Sequence, residues 1–331
     1  MAVRAVVLLS GGLDSQLAVR ILQEQGVEVE AVNFKTIFTC CQDLAGQTAR
    51  DLGVRLTVLA QEDDYLDVIK HPKFGRGKGA NPCVDCRIYM FQRAKAFMHE
   101  IGAQFVASGE VVGQRPMSQK RNDLDVIAHH SDLDGLLLRP LSALLLPPTI
   151  PEKEGWVDRS KLYGISGRSR KPLLELAKKY GLRHVPSPSS GCALTEVLFA
   201  KKVFDVLEHS PDAGRWEFEL LKFGRHFRYD DDIKIVVGRR ETDNTHLEFM
   251  HQAPNAASTA LLTPANFVGP SALVVGPPRE DALEFAVGLL VRYSKLEDLA
   301  GLQVRVATRD GESLWDAAPH AAAEAAETIA R

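Results

Sequence analysis

The chain has 331 residues, enough for two domains, and its 45% hydrophobic and 25% charged residues are the balance of an ordinary globular protein. A net charge of −3 excludes a globally basic nucleic-acid binder, so an RNA partner would need a local basic surface. No apolar stretch approaches the ~18 residues of a membrane span, and the N-terminus runs straight into a strand-like segment, so the expectation is a cytoplasmic protein with no membrane partner.

Residues 5–9 (AVVLL) form an apolar run. Residues 15–25 follow with Leu17, Ala18, Ile21 and Leu22 at helical spacing, and Gly26 stops them. Residues 27–34 (VEVEAVNF) alternate as a strand; 43–52 read as a helix, 55–59 as a strand, 87–101 as a long helix and 105–107 as a strand. Strands and helices in this alternation predict an α/β fold, a parallel sheet with helices on both faces. Three long loops interrupt it, at 70–85, 110–125 and 146–155; loops of that length are usually functional. Helices are expected at 173–180 and 196–207, separated by PSPSSGC (186–192). HSPDAG (209–214) reads as a boundary, which predicts domains 1–212 and 213–331. Beyond it, 233–237, 246–250, 257–262 and 272–275 are short apolar or alternating runs, 281–293 is a helix and 302–307 a strand. This is the pattern of a smaller C-terminal α+β domain. The Ala-rich end reads as a helix or a frayed tail.

SGGLDS (10–15) lies between the first strand and the first helix. Glycines there let backbone N–H groups converge, and the helix turns its positive end to the same point, so the loop suits a phosphate. Asp14 fits beside a phosphate if it works through Mg²⁺ or a water. The competing reading is a tight turn with Ser and Asp as caps. The loop has neither the lysine of a Walker A motif nor the GxGxxG of a dinucleotide site. It resembles the signature of the PP-loop ATP pyrophosphatases, of the adenine nucleotide alpha-hydrolase-like fold. These cleave ATP between the α and β phosphates and activate a carbonyl oxygen as an adenylate. The resemblance implies that Ser10, Gly11, Gly12, Asp14 and Ser15 cradle the pyrophosphate, and that the backbone at Val32–Phe34, with Val32 and Phe34 at its ends, takes the adenine.

Five cysteines, an odd number, argue against a disulfide framework. Cys83 and Cys86 form C-x2-C in NPCVDC, and Cys192 in SSGCALT is the candidate third thiol. Four readings stay open: a [4Fe–4S] cluster with one iron left for an extra sulfur; a dithiol carrying a persulfide; a zinc site completed by His71 or His184; and inert buried thiols. NPCVDCRIYMFQRAKAFMHEIGAQFVASGE and KLYGISGRSRKPLLELAKKYGLRHVPSPSSGC resemble two blocks of the tRNA thiouridylases (the MnmA/TrmU type) in the same order, over roughly residues 1–210. The resemblance puts Gly109, in the (S/T)-G that closes the strand, among the nucleotide-binding residues. It implies that ATP adenylates a uridine carbonyl and that sulfur on cysteine displaces AMP, with catalytic roles for Asp14, Cys83, Cys86 and Cys192. The extra cysteine of C-x2-C departs from the MnmA pattern and looks more like the cluster-dependent thiolases (TtuA-like and archaeal ThiI-like). The sulfur donor is then inorganic sulfide or a persulfide carrier. Cys40 and Cys41, after the second strand, either assist sulfur handling or are small half-buried residues.

Residues 167–183 hold six Lys/Arg against Glu175 alone. Arg115, Arg139, Arg168, Arg170 and Lys171 are candidates for an RNA backbone; the competing readings are solvated charges and ion-pair partners. His129 and His130 before SDLDG invite a metal but read better as turn residues. FGRHFRYDDDIKIVVGRRETDNTHLEF resembles the NFACT-R domain of RNA-associated quality-control proteins over about 100 residues, which implies RNA binding; a dimerisation role is the alternative. The expected function is an ATP-dependent tRNA thiouridine synthase using ATP, Mg²⁺ and tRNA. The rivals are an ATP pyrophosphatase acting on a small molecule and a non-catalytic RNA-binding protein.

Overall fold

A computed structural model describes residues 2–39, 44–187 and 191–331. The chain divides into two compact units, the first built from 1–77 and 81–193, the second from 78–80 and 194–331. Cys40 and Cys41 lie outside the described residues.

The first unit runs β1 (Arg4–Leu8), α1 (Leu13–Gln23), β2 (Glu28–Lys35), α2 (Leu44–Leu52), β3 (Arg55–Ala60), α3 (Tyr65–Lys70), α4 (Cys83–Glu100), β4 (Phe105–Ser108), α5 (Arg121–His130), β5 (Leu137–Leu138), α6 (Ile150–Lys153) and α7 (Lys171–Lys179). Its sheet has the order β3-β2-β1-β4-β5, and every pair is parallel. Both faces are covered, which is why β1 is apolar from Ala5 to Leu8. Ala5 and Val7 pack with Leu17, Ile21, Leu173 and Leu176 of α1 and α7. Val6 and Leu8 point the other way, to Phe91, Ala94 and Met98 of α4 and Ile127 of α5. The α/β expectation is met.

The strand order reverses between β1 and β4, the switch point at which open α/β sheets bind their ligands. The backbones approach closely there. A Cβ on Gly109 would sit 2.4 Å from the Asp14 carbonyl and 2.6 Å from the Ser15 nitrogen. Gly11, at φ +81°, would place a Cβ 2.8 Å from that of Leu44. Only glycine leaves room for α1 to start between β4 and α2.

Two elements differ from expectation here. The long helix begins at Cys83, not at 87, because the Cys86 N–H donates to the Pro82 carbonyl at 2.8 Å and continues the helical ladder. Asp85 in its first turn accepts from the Lys73 and Phe74 N–H groups, closing the preceding loop onto the helix end. His129 and His130 are the last residues of α5, not turn residues: His129 Nδ1 lies 2.9 Å from Asp134 and His130 stacks near Phe74.

The second unit holds α8 (Val197–His209), α9 (Arg215–Leu220), β6 (Arg225–Arg228), β7 (Lys234–Val237), α10 (Glu241–Gln252), β8 (Ser258–Pro264), β9 (Ala272–Val275), α11 (Glu280–Tyr293), β10 (Gln303–Thr308), β11 (Gly311–Asp316) and α12 (Ala321–Ala325). The six strands are antiparallel in the order β11-β10-β8-β9-β7-β6. One face packs on α11, the other on α9 and α10. Residues 246–250, read as an extended run, are helical. Asp243, Leu247 and Met250 bury one face at helical spacing, and Asp243 accepts from the Gly224 and Arg239 N–H groups. The units divide before α8 and not at HSPDAG. The reason is Asp205 of α8, a buried carboxylate paired with Arg228 at 2.7 Å and Lys234 at 2.8 Å, together with Lys202, whose Nζ donates to the Leu221 carbonyl.

Two predictions follow the packing. Gly109→Ala should displace the start of α1, at a cost of about 1–3 kcal/mol for an overpacked contact, read as a lower melting temperature. His226 of β6 is fully buried; its Nε2 donates to the Phe223 carbonyl and its Nδ1 has no partner. Burial first, then the charges of Lys234 and Lys202, hold its pKa well below the usual histidine value. The unfolded chain therefore binds this proton more readily than the folded one. That stability is complete above the unfolded pKa and declines progressively as pH falls below it. The chain should lose stability between pH 7.5 and about 5.5, and His226→Gln should flatten that slope in thermal melts.

Candidate functional site

The phosphate-shaped loop is fastened from beneath. The Gly12 carbonyl accepts from the Ser15 hydroxyl at 2.8 Å and the Gln16 N–H at 3.2 Å, and Gln16 Nε2 donates to the Gly11 carbonyl. The Ser10 hydroxyl takes the Gly12 N–H at 3.3 Å and lies 3.3 Å from the Ser15 hydroxyl. With these carbonyls engaged and Gly12 as the N-cap of α1, the loop presents N–H groups and hydroxyls at the helix's positive end. Val32 and Phe34 lie on β2 beside it; the Leu9 N–H donates to the Val32 carbonyl, and Asn33 Nδ2 to the Leu9 carbonyl.

Asp14 looks across the switch point. Burial raises its pKa, while a hydrogen bond from Gln114 and the charges of Arg115 and Arg170 pull the other way. Two expected RNA residues thus stand beside the acid of the glycine loop. Arg170 is anchored by donating to the Pro186 carbonyl at 2.9 Å. Arg115 also reaches Gly191: its Nη1 lies 3.7 Å from where a Cβ there would be. Gly191 precedes Cys192, and the segment is tied to the end of β2 by a Thr39–Cys192 bridge and the Ala193 N–H to the Phe38 carbonyl.

The other two cysteines open α4. Spacing i, i+3 in a first turn sets them on one side of the helix. Asn81 Nδ2 donates to Cys83 Sγ at 3.0 Å, and the Tyr65 hydroxyl donates to Cys86 Sγ at 3.2 Å. Burial raises the Cys86 pKa, opposed by the Tyr65 hydrogen bond and by Arg87. Burial also pushes the Tyr65 phenol well up, and the charges of Cys86, Cys192 and Cys83 push it further. One buried hydroxyl therefore senses all three cysteines. Among the described residues no three His, Cys, Asp or Glu side chains converge as ligands of a single metal ion. That leaves the zinc reading, the [4Fe–4S] reading of Cys83, Cys86 and Cys192, and a metal at His129 and His130 all without support from the ligand geometry.

Arg139 does not belong with the RNA candidates. It is 5% exposed, and its guanidinium is held by Glu110 at 2.9 Å and by the Leu124 carbonyl. A desolvated arginine paired this way is a core tie. Arg168 and Lys171 are exposed at the start of α7. Tyr65, Asn81 and Glu110 are additions to the set. Glu110 follows Gly109, is 2% exposed, and reaches Arg139 with one oxygen while the other lies 3.6 Å from Arg87, the residue after Cys86. The EDDYLDVI run disguises Tyr65 as core, and Glu110 looks like loop polarity; only its place after Gly109 hints at more.

Residues 3–134 match the family described as tRNA methyl transferase HUP domain, and residues 224–328 the NFACT protein RNA binding domain. The tRNA-specific 2-thiouridylase MnmA of Sulfurimonas denitrificans is 30% identical over 121 residues, 34% of this chain and 36% of that protein. The one from Clostridium kluyveri is 26% identical over 203 residues, 53% of this chain and 56% of its own length. The chain thus spans between about a third and just over half of the length of these curated relatives. A solved 4-thiouridine synthetase–RNA complex with bound ATP is 25% identical, covering 54% of this chain and 40% of its own, with a TM-score of 0.36. No helix among the described residues is long and apolar enough to cross a membrane. The chain carries an MnmA-like PP-loop HUP domain over residues 3–134 and an NFACT RNA-binding domain over residues 224–328.

Proposed function

We propose that the chain is an ATP-dependent tRNA thiouridine synthase. The observation that carries this reading is Arg115, which faces Asp14 of the glycine loop and packs at Gly191 beside Cys192. One side chain thus lies near both a nucleotide-shaped turn and the segment that carries Cys192, the two halves that an activation followed by sulfur transfer needs.

In this reading the loop N–H groups, Ser10 and Ser15 hold the ATP phosphates, and Asp14 binds Mg²⁺ directly or through water. The uridine oxygen attacks the α-phosphorus and pyrophosphate leaves. Arg115 and Arg170 offset the charge that builds on the phosphates, and the main contribution of the protein is position and field. A sulfur nucleophile then adds to the activated carbon and AMP departs with the former carbonyl oxygen. Gly109, Val32 and Phe34 border the nucleotide; Arg168 and Lys171 meet the RNA backbone.

Cys83, Cys86 and Cys192 supply the donor chemistry of a [4Fe–4S] cluster with one iron open, which would carry the incoming sulfide. Asn81 and Tyr65 would orient two of those sulfurs by hydrogen bonds, as outer partners do around metal ligands. A persulfide on the same cysteines is the other route. The sulfur comes from inorganic sulfide or a persulfide carrier. Cytoplasmic location and a homodimer belong to this proposal as well.

Asp14→Asn should lower both pyrophosphate release and tRNA thiolation by about 100-fold or more, the usual scale for losing a transition-state charge contact. Cys192→Ala should keep tRNA-stimulated pyrophosphate release and abolish thiolation, measured by mass spectrometry of tRNA nucleosides. Loss of both activities in Cys192→Ala would count against separate half-sites. Iron and sulfide counts on anaerobically purified protein decide between cluster and persulfide: iron-free protein that still thiolates tRNA excludes the cluster.

A further inference from the structure

Helix α10 carries an exposed aromatic stripe, and three cations from the segments just before it, Lys222, Arg239 and Arg240, lie toward its start. Phe249 is 72% exposed. His246, one turn earlier, is also exposed, and its ring lies flat on Phe223, with centroids 4.4 Å apart and an angle of 19°. Its Nδ1 donates to the Thr242 carbonyl, which fixes the ring in that stack. Thr242, His246 and Phe249 share one stripe, at spacings of four and three. At the helix start the stripe runs into cations. Lys222 and Arg240 are exposed, and Arg239 is half-engaged by Asp243 while its Nη2 reaches the Lys222 carbonyl at 3.5 Å. Glu241 in the first turn is the nearest exposed acid.

We propose that this face is a stacking platform for single-stranded RNA. The inference rests on the reading of the second unit as an RNA-binding domain and assigns the surface that performs it. Bases stack on Phe249 and on the His246–Phe223 pair, while Lys222, Arg239 and Arg240 follow the phosphates. A docking face for protein would present clustered aliphatic side chains. Here one solitary aromatic and one preformed ring pair are flanked by threonine and arginine, the combination that binds unpaired bases without reading sequence. Duplex RNA keeps its bases stacked internally and offers this face only its phosphates.

The test uses the full chain, a labelled single-stranded oligoribonucleotide of about 12 nucleotides, and a duplex of the same length, with binding followed by fluorescence anisotropy. Phe249→Ala should weaken single-strand binding by about fivefold or more, the loss of one base stack, and leave duplex binding unchanged. Phe249→Trp should restore it. Arg240→Gln should weaken both and reduce the salt slope for the single strand by about 0.7. If the wild-type chain binds the single strand and both Phe249→Ala and His246→Ala bind it as tightly, the platform is overturned and the RNA-binding reading stands. If the wild-type chain binds neither RNA, that reading falls and the platform with it. If Phe249→Ala lowers the sedimenting mass with RNA affinity intact, the face belongs to a second copy of the chain and the proposal is overturned.

Discussion

The first unit depends on one close approach, between the end of β4 and the start of α1. The Asp14 and Ser15 backbone occupies the space that any side chain on Gly109 would need. Because the two strands lie side by side at the crossover, this contact sets where α1 begins, and so where its positive end and the loop's N–H groups point. Glu110 continues the same turn inward. Its buried carboxylate joins Arg139 in the core to Arg87 on the cysteine helix. The nucleotide-shaped loop and the thiols are thereby positioned from one short segment, Ser108–Glu110, and not from two unrelated parts of the fold.

The sulfur side has its own logic. Tyr65 is buried against Cys86, and its phenol stays protonated because burial first, then the charge of Cys86 and more weakly of Cys192 and Cys83, resist its ionisation. A neutral donor in that place accommodates negative charge on sulfur where a carboxylate would repel it. Cys86 is half-buried and resists ionisation as well, offset first by the Tyr65 hydrogen bond and then by Arg87.

The parallel sheet was legible in the sequence because its signals were local and redundant: AVVLL before a glycine turn, helical periods ending at Gly26, Gly53 and Gly102, and VEVEAVNF between them. The start of α4 was harder to read. Pro82 and two cysteines look like loop, yet a proline is well tolerated at a helix entry, where its missing N–H costs nothing. In the second unit, THLEFM reads as a strand by composition, and Asp243, Leu247 and Met250 overrule it through tertiary burial. RHFR in β6 was missed because its two arginines hide the buried pair His226 and Phe227. Within the site, motif residues were legible one by one. The partnerships were not, since Arg115 with Asp14, Tyr65 with Cys86 and Glu110 with Arg139 link residues far apart in the chain. Arg139 shows the limit most plainly: a lone arginine among leucines is consistent with a surface contact or a core tie, and only burial separates them.

The ion pairs that bind α8 to the second unit leave an unbalanced interior. Lys234 and Arg228 both pair with Asp205, and Lys202, bonded only to the Leu221 carbonyl, sits in the field of Lys234 and Arg239 with Asp243 as its offsetting carboxylate. Lys202 registers the strain, its pKa brought down to about 8 by burial and by Arg239 and Lys234. Ions in solution screen such partly buried charges far less than they screen surface lysines. Lys202 therefore sheds its proton near pH 8, and the local excess of positive charge around it shrinks there, well below the pH at which a surface lysine would respond.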